Sequence, residues 1–319
     1  MDMVITGVGL RLHGADTLDG LYNAIISGSS LAGETDTPVI KGVRALVFSD
    51  SLTKKAYAAS LDALDGGAVK GERGGIFLGG AFGSLNSMAK LETAIAENDR
   101  SSVMPMEFMN TVMNAAAGQL AILFGISGMN INISTGTRAS LDAFLYARDM
   151  LDSGRTDAAL IGGVEDMSEE YAAYIKANGG IPADGVCMLA AERSEAAKER
   201  GAHIYARLLG GASGYREDIS DITASALCDA GLDMKDIAFT VTNGGVAVHG
   251  DIPNIDIKKI TGELCGASFA AAAAAAIAIG ERGALPDGTV LCRGAKTLIT
   301  GNGFDGYGGS IIMSVNIGG

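Results

Sequence analysis

The side chains with the greatest chemical capacity are few and scattered. Cysteines stand at Cys187, Cys228, Cys265 and Cys292, with no close pair that would suit a metal and no secretory signal ahead of them. They are expected to be free, buried thiols in a reducing compartment. The histidines, His13, His203 and His249, never fall at an i, i+4 spacing, so no metal site is expected. The 37 acidic residues outnumber the 24 lysines and arginines, giving a formal net charge of −13 with no basic block. Nucleic acid needs phosphate-neutralising cations and is disfavoured as a partner, and acidic protein partners would be repelled unless a local patch or a second subunit receives them.

Any reacting group must be positioned by the elements around it. The 319 residues are 48% apolar and 19% charged, which suits one large domain or two tightly packed halves. Short β-branched runs ending in glycine alternate with alanine-rich helical stretches, the α/β pattern. Strands are predicted at Met3–Gly9, Gly75–Gly80, Asn130–Ser134, Ala158–Gly163 and Val186–Glu192. A second set of similar spacing follows at Ile204–Gly210, Ile237–Thr242, Asn254–Lys258, Thr297–Gly301 and Ser310–Val315. The repeated spacing suggests a duplicated unit, residues 1–200 and 201–319, sharing one core because no Pro- or Ser-rich linker separates them.

Three helical stretches, Asn114–Phe124, Leu141–Leu151 and Ala267–Ile279, are unusually small and apolar. The last contains an unbroken alanine run, Ala270–Ala276. A helix without a polar face must be covered on most sides, so all three are expected in a layered interior. The longest apolar run, Leu264–Ile279, falls short of the ~20 residues that span a bilayer. With Met1–Gly7 reading as an immediate core strand rather than a leader, a cytoplasmic protein without a membrane segment is expected.

Several in-register segments resemble the β-ketoacyl synthases, the condensing enzymes of fatty acid and polyketide synthesis. Val4-Ile5-Thr6-Gly7-Val8-Gly9 resembles that family's first strand. Gly154–Glu165 matches its G-x-x-D-x-x-x-x-G-G-x-E signature, Asp184–Glu192 its later G-A-G-x-L-V-L-E strand, and Gly303-Phe304-Asp305-Gly306 its G-F-G-G turn. The resemblance implies the thiolase-like fold, a five-layer αβαβα arrangement of two similar halves. It implies no cofactor.

The same register sets Thr137, in Ser134-Thr135-Gly136-Thr137-Arg138, at the family's nucleophilic cysteine. Asn243, in Thr242-Asn243-Gly244-Gly245, and Glu263, in Lys258-Lys259-Ile260-Thr261-Gly262-Glu263, fall at its two histidines, while Lys258 matches its motif lysine and is retained. Condensation needs a thiolate, and a threonine hydroxyl has no comparable ionisation. A carboxylate at a histidine position would oppose a developing enolate or oxyanion. Arg138 adds a cation at a helix start, where the dipole favours anions. Bland roles are also open: Thr137 as a helix cap, Asn243 as a turn residue, Glu263 as a dipole partner or a mate for Lys258 or Arg138. Phe304 is either packing or a gate, and Asp305 replaces a glycine of the gate turn.

The resemblance then implies a non-catalytic, chain-length-factor-like subunit that pairs with an active ketosynthase through Asn130–Ser134 and its flanking helices. In that heterodimer the partner would dock the acyl carrier protein, and this chain would shape the acyl tunnel. Only Asp166–Gly185 stands where the family has a long excursion that shapes the entrance, which agrees. The alternatives are an acyltransferase, hydrolase or cyclase using Thr137 with Glu263 as base, or a homodimeric scaffold that binds a small apolar ligand.

Overall fold

The computed structural model describes residues 3–65, 67–98, 105–215, 219–244, 251–304 and 306–316. Ten strands form a single sheet. They are β1 (Met3–Leu12), β2 (Gly74–Gly79), β3 (Asn130–Ile133), β4 (Ala158–Glu165), β5 (Gly185–Arg193), β6 (Ala206–Tyr215), β7 (Phe239–Asn243), β8 (Asn254–Asp256), β9 (Ala295–Asn302) and β10 (Tyr307–Val315). The helices of the first stretch are α1 (Leu18–Ser27), α2 (Ser51–Ala63), α3 (Leu85–Asn98), α4 (Pro105–Phe108), α5 (Ala115–Phe124) and α6 (Ala139–Asp152). Then follow α7 (Glu169–Ala177), α8 (Ser194–Glu199), α9 (Ile219–Ala230), α10 (Lys258–Thr261) and α11 (Ser268–Arg282).

The strand order is β3-β2-β4-β5-β1-β6-β10-β9-β7-β8. Counted from its own first strand, each run reads 3-2-4-5-1 outward to inward, and the two runs meet where β1 pairs antiparallel with β6. In both runs the outer strands are parallel and the inner ones antiparallel.

The layers follow from which side chains alternate strand residues present. On β5, Val186, Met188 and Ala190 face a cluster shared with α2 and α5, whereas Cys187, Leu189 and Ala191 face the central cluster with α1, α6 and α11. A second outer cluster joins α9 to Leu298 of β9 and Ile312 of β10. The succession is α2/α5, sheet, α1/α6/α11, sheet, α9: five layers of a thiolase-like fold. Strands buried on both faces read as continuous apolar runs, which is why β2, β4 and β5 lack a polar alternation.

Alanine sets the spacing at the centre. Every residue of α11 from Ser268 to Gly280 is buried. A Cβ on Gly163 of β4 would lie 2.7 Å from Ala267 Cα and 2.8 Å from Ala270 Cβ, so strand and helix backbones meet with no room for a side chain.

Three expectations fail. Asn114–Phe124 is not a central helix: only Ala116, Ala117 and Leu120 of α5 are buried, and Ile122 is 74% exposed, since none of the described residues covers its outer side. The strand expected through Lys258 stops at Asp256. Ile257 N donates to Thr242 O, and Lys258 opens α10, which ends at Gly262 with φ +74°. Of the cysteines, all free, Cys187 and Cys265 are buried but Cys228 and Cys292 are exposed.

Candidate functional site

β3 delivers the chain into a tight 3-10 turn, Gly136–Arg138, ahead of α6. Thr137 is 3% exposed within it. The cap position of α6 belongs to Arg138, which makes no side-chain capping bond. Asp142, in the first turn of α6, organises the neighbourhood. It accepts from Thr135 Oγ1 at 2.6 Å and Ser213 Oγ at 2.7 Å, and pairs with Arg138 Nε at 3.2 Å. The Arg138 guanidinium also lies over the Tyr307 ring, 4.5 Å from its centroid. Asp142 thus offsets the positive charge that Arg138 brings to the helix start.

Glu263 follows the Gly262 turn. That glycine is required twice over: its φ is left-handed, and a Cβ would approach Ala32 Cβ and Ile181 O to 2.9 Å. Glu263 is 2% exposed. Its Oε1 accepts from Cys265 N at 3.0 Å and Ser268 Oγ at 3.4 Å, and its Oε2 forms an ion pair with Lys258 Nζ. The Lys258 stem in turn lies against Gly244, immediately after buried Asn243 at the end of β7. The turn Cys265–Ala267 packs directly on Gly136–Arg138. The structure therefore gathers Thr137, Asn243, Lys258 and Glu263 around one end of the sheet, from segments far apart in sequence.

Phe304 is 38% exposed and sits edge-on to Tyr174, with ring centroids 5.4 Å apart. Tyr174 meets Phe82, which meets Tyr171, and the Tyr171 hydroxyl donates to the backbone oxygen of Glu263 at 2.6 Å. An aromatic ladder thus joins the Phe304 turn to the Glu263 turn. Asp305 and His249 lie outside the described residues.

Residue-level reading missed three contributors. Glu165, the last residue of the G-G-x-E signature, is fully buried and accepts N–H bonds from Ala81 (3.0 Å), Phe82 (3.2 Å) and Gly266 (3.0 Å). Burial pushes its carboxyl up to about 8, against the downward pull of those three donors. Its signal in the sequence was an acid closing an otherwise apolar strand. Tyr171 carried no signal beyond its place on a helix. Cys265 is the third, because its turn adjoins Thr137. However, its thiol is packed with Tyr171 and Ile175, and burial, followed by the charges of Glu165 and Glu263, pushes its ionisation well above the ordinary thiol range. A thiol so placed is not an activated nucleophile.

A further buried group pins the frame behind the seat. Lys55 Nζ bridges Asp166 Oδ1 (2.8 Å) and Asp184 Oδ2 (2.5 Å), and Asp184 also takes N–H bonds from Thr35 and Met167. Burial alone would lower the Lys55 pKa, but the two carboxylates raise it.

Comparison with known proteins bears on the sequence and the fold. Residues 47–197 match the family model "Beta-ketoacyl synthase, N-terminal domain". The chain is 24% identical to 3-oxoacyl-[acyl-carrier-protein] synthase 2 of Vibrio harveyi, over 82% of this chain and 77% of that protein. It is 25% identical to the granaticin polyketide putative beta-ketoacyl synthase 1 of Streptomyces violaceoruber, over 78% and 74%. Among solved structures, the ishigamide ketosynthase/chain length factor superposes with a TM-score of 0.83 at 22% identity, covering 99% of both chains, a likeness of fold. The signature in register and these relatives make the chain similar to the β-ketoacyl synthases over most of its length, and the strand order and the solved structures set it on a thiolase-like fold.

Proposed function

We propose that the chain is a non-catalytic, chain-length-factor-like subunit that pairs with an active ketosynthase in polyketide or fatty-acid-type elongation and shapes that partner's acyl tunnel. One observation carries the reading: buried Glu263, at a histidine position of the family, is held in an ion pair with Lys258. A carboxylate locked there repels an enolate instead of stabilising it. Threonine at position 137 and asparagine at 243 supply neither thiolate nor imidazole. The competing hydrolase or acyltransferase, with Glu263 as base to Thr137, has less support, because both carboxylate oxygens already have partners.

The partner surface we infer lies along β3 and α5. β3 is an edge strand, and Phe108 (58% exposed), Met109, Val112, Met113 and Ile122 form an uncovered apolar rim beside it. The acyl carrier protein would dock mainly through the partner, since this chain is acidic. We assign residues 1–200 and 201–319 to two similar halves, on the repeated 3-2-4-5-1 strand order. No helix among the described residues is long and apolar enough to cross a membrane, in keeping with work in the cytoplasm.

The test is to purify the chain alone and after co-expression with a candidate ketosynthase, then to measure mass and acyl extension. A heterodimer that is active only when both chains are present is expected. Acyl extension by the lone chain, or acylation that disappears in Thr137→Ala, overturns the proposal.

A further inference from the structure

The hydrogen bonds around buried Glu165 are unevenly divided between its two oxygens. Oε2 accepts two backbone N–H groups, from Ala81 and Gly266, each at 3.0 Å, whereas Oε1 accepts one, from Phe82, at 3.2 Å. A bare carboxylate can take all three. A protonated one carries a hydrogen on one oxygen, which then turns from acceptor to donor. The proton belongs on Oε1, where it displaces a single bond and the longest of the three. Protonation therefore frees the Phe82 N–H and leaves Ala81 and Gly266 tied. Burial and the three donors pull the ionisation in opposite directions, so the change of charge falls near neutral pH instead of in the acid range.

The Phe82 ring reaches the surface through two more rings. It stands edge-on to Tyr171 and to Tyr174, with centroids 5.6 Å and 5.5 Å away, and Tyr174 stands edge-on to Phe304 at 5.4 Å. Tyr171 is fixed by its hydroxyl, which donates to Ala183 O at 2.9 Å and Glu263 O at 2.6 Å. Tyr174 and Phe304 are partly exposed, so this branch of the ladder is the one with room to yield. Phe304 lies in a turn closed by a bond from Gly303 N to Tyr307 O at 2.8 Å.

The neighbouring ionisable groups do not take over this role. Asp166, next along the chain, is paired with Lys55. Tyr171 on α7 and Cys265 in the turn before α11 are kept protonated by burial. Glu263 is paired with Lys258, and Arg138, in the turn before α6, with Asp142. The proton on Glu165 is thus what the Phe82 N–H responds to.

We propose that Glu165 is a proton-operated latch on the Phe304 turn. Ionised, it holds Phe82 and through that ring the Tyr174–Phe304 contact; protonated, it loosens both. The latch is built into the fold and does not rest on the silent-subunit reading.

The test is an NMR titration of the full chain labelled with carbon-13, nitrogen-15 phenylalanine, over about pH 6 to 10. Only nine phenylalanines need to be resolved. The Phe82 amide proton is expected to move downfield as pH rises, because an anionic acceptor strengthens its hydrogen bond. The Phe304 ring signals should shift with the same midpoint. Glu165→Gln, which keeps the shape and removes the titration, should abolish both shifts. Tyr174→Ala should abolish the Phe304 shift and leave that of Phe82. The proposal is overturned if the Phe304 signals do not titrate, titrate with a different midpoint, or respond unchanged in either variant. Should Glu165→Gln fail to fold, the midpoints of the unaltered chain and the Tyr174→Ala variant, changed at a partly exposed ring, decide the matter.

Discussion

Two buried glutamates flank the short turn at Cys265–Ala267, and they are neutralised in different ways. Glu263 has a lysine, plus one backbone and one hydroxyl donor. Glu165 has three backbone N–H groups and no cation. The first draws its partners from one local stretch, Lys258 to Ser268. The second ties the exits of β2 and β4 to the start of α11, and its signature residue remains. The contrast teaches that the backbone-held acid ties three distant segments together, whereas the acid paired with a lysine secures a single local turn.

The comparison can be broken by experiment. Glu165→Ala strands three buried N–H groups and should lower unfolding stability by about 3–5 kcal/mol in denaturant titration; a loss below that of the Lys258 variant would reverse the ranking. Gly163→Ala forces a methyl against the Ala267 backbone and should cost about 1–3 kcal/mol, read as a drop in thermal midpoint. Lys258→Met removes the partner of Glu263 and should cost about 1–2 kcal/mol, because the lysine is partly solvated. Adding Glu263→Gln to that variant should recover most of the loss, and failure to recover would mean that Lys258 acts through packing alone.

A further effect is on pH dependence. Because the folded-state pKa of Glu165 is raised to about 8, the folded chain holds its proton more tightly than the unfolded chain. Below the ordinary carboxyl range both states are protonated and nothing changes. Between there and about 8, stability falls as pH rises, by up to about 1.4 kcal/mol per pH unit, and the fall levels off above. Glu165→Gln should remove that component of the slope, while Lys258→Met should leave it in place.

Much of the frame was legible from residues alone. Strands β2, β4 and β5 were locatable because strands buried on both faces are short apolar runs. Gly163 of β4 and the turn at Gly262 were legible because glycine is required where backbones approach closely. Exposure was harder to read. The residues of α5 look as apolar as those of α11, and composition does not reveal that one side of α5 is left uncovered by the described residues. Long-range partners were also hidden, since no local pattern ties Tyr171 to the backbone of Glu263 or Lys55 to Asp184.

The alanine run at the centre of α11 has a consequence for how such a molecule can change. A methyl group has no rotamers to freeze, so closing this layer forfeits almost no side-chain entropy, in contrast with a core of leucine or methionine. The middle of the protein has one way to pack, whichever residues decorate the rim. A scaffold with so little internal slack can change residues at its rim and still present the same outline to whatever it meets.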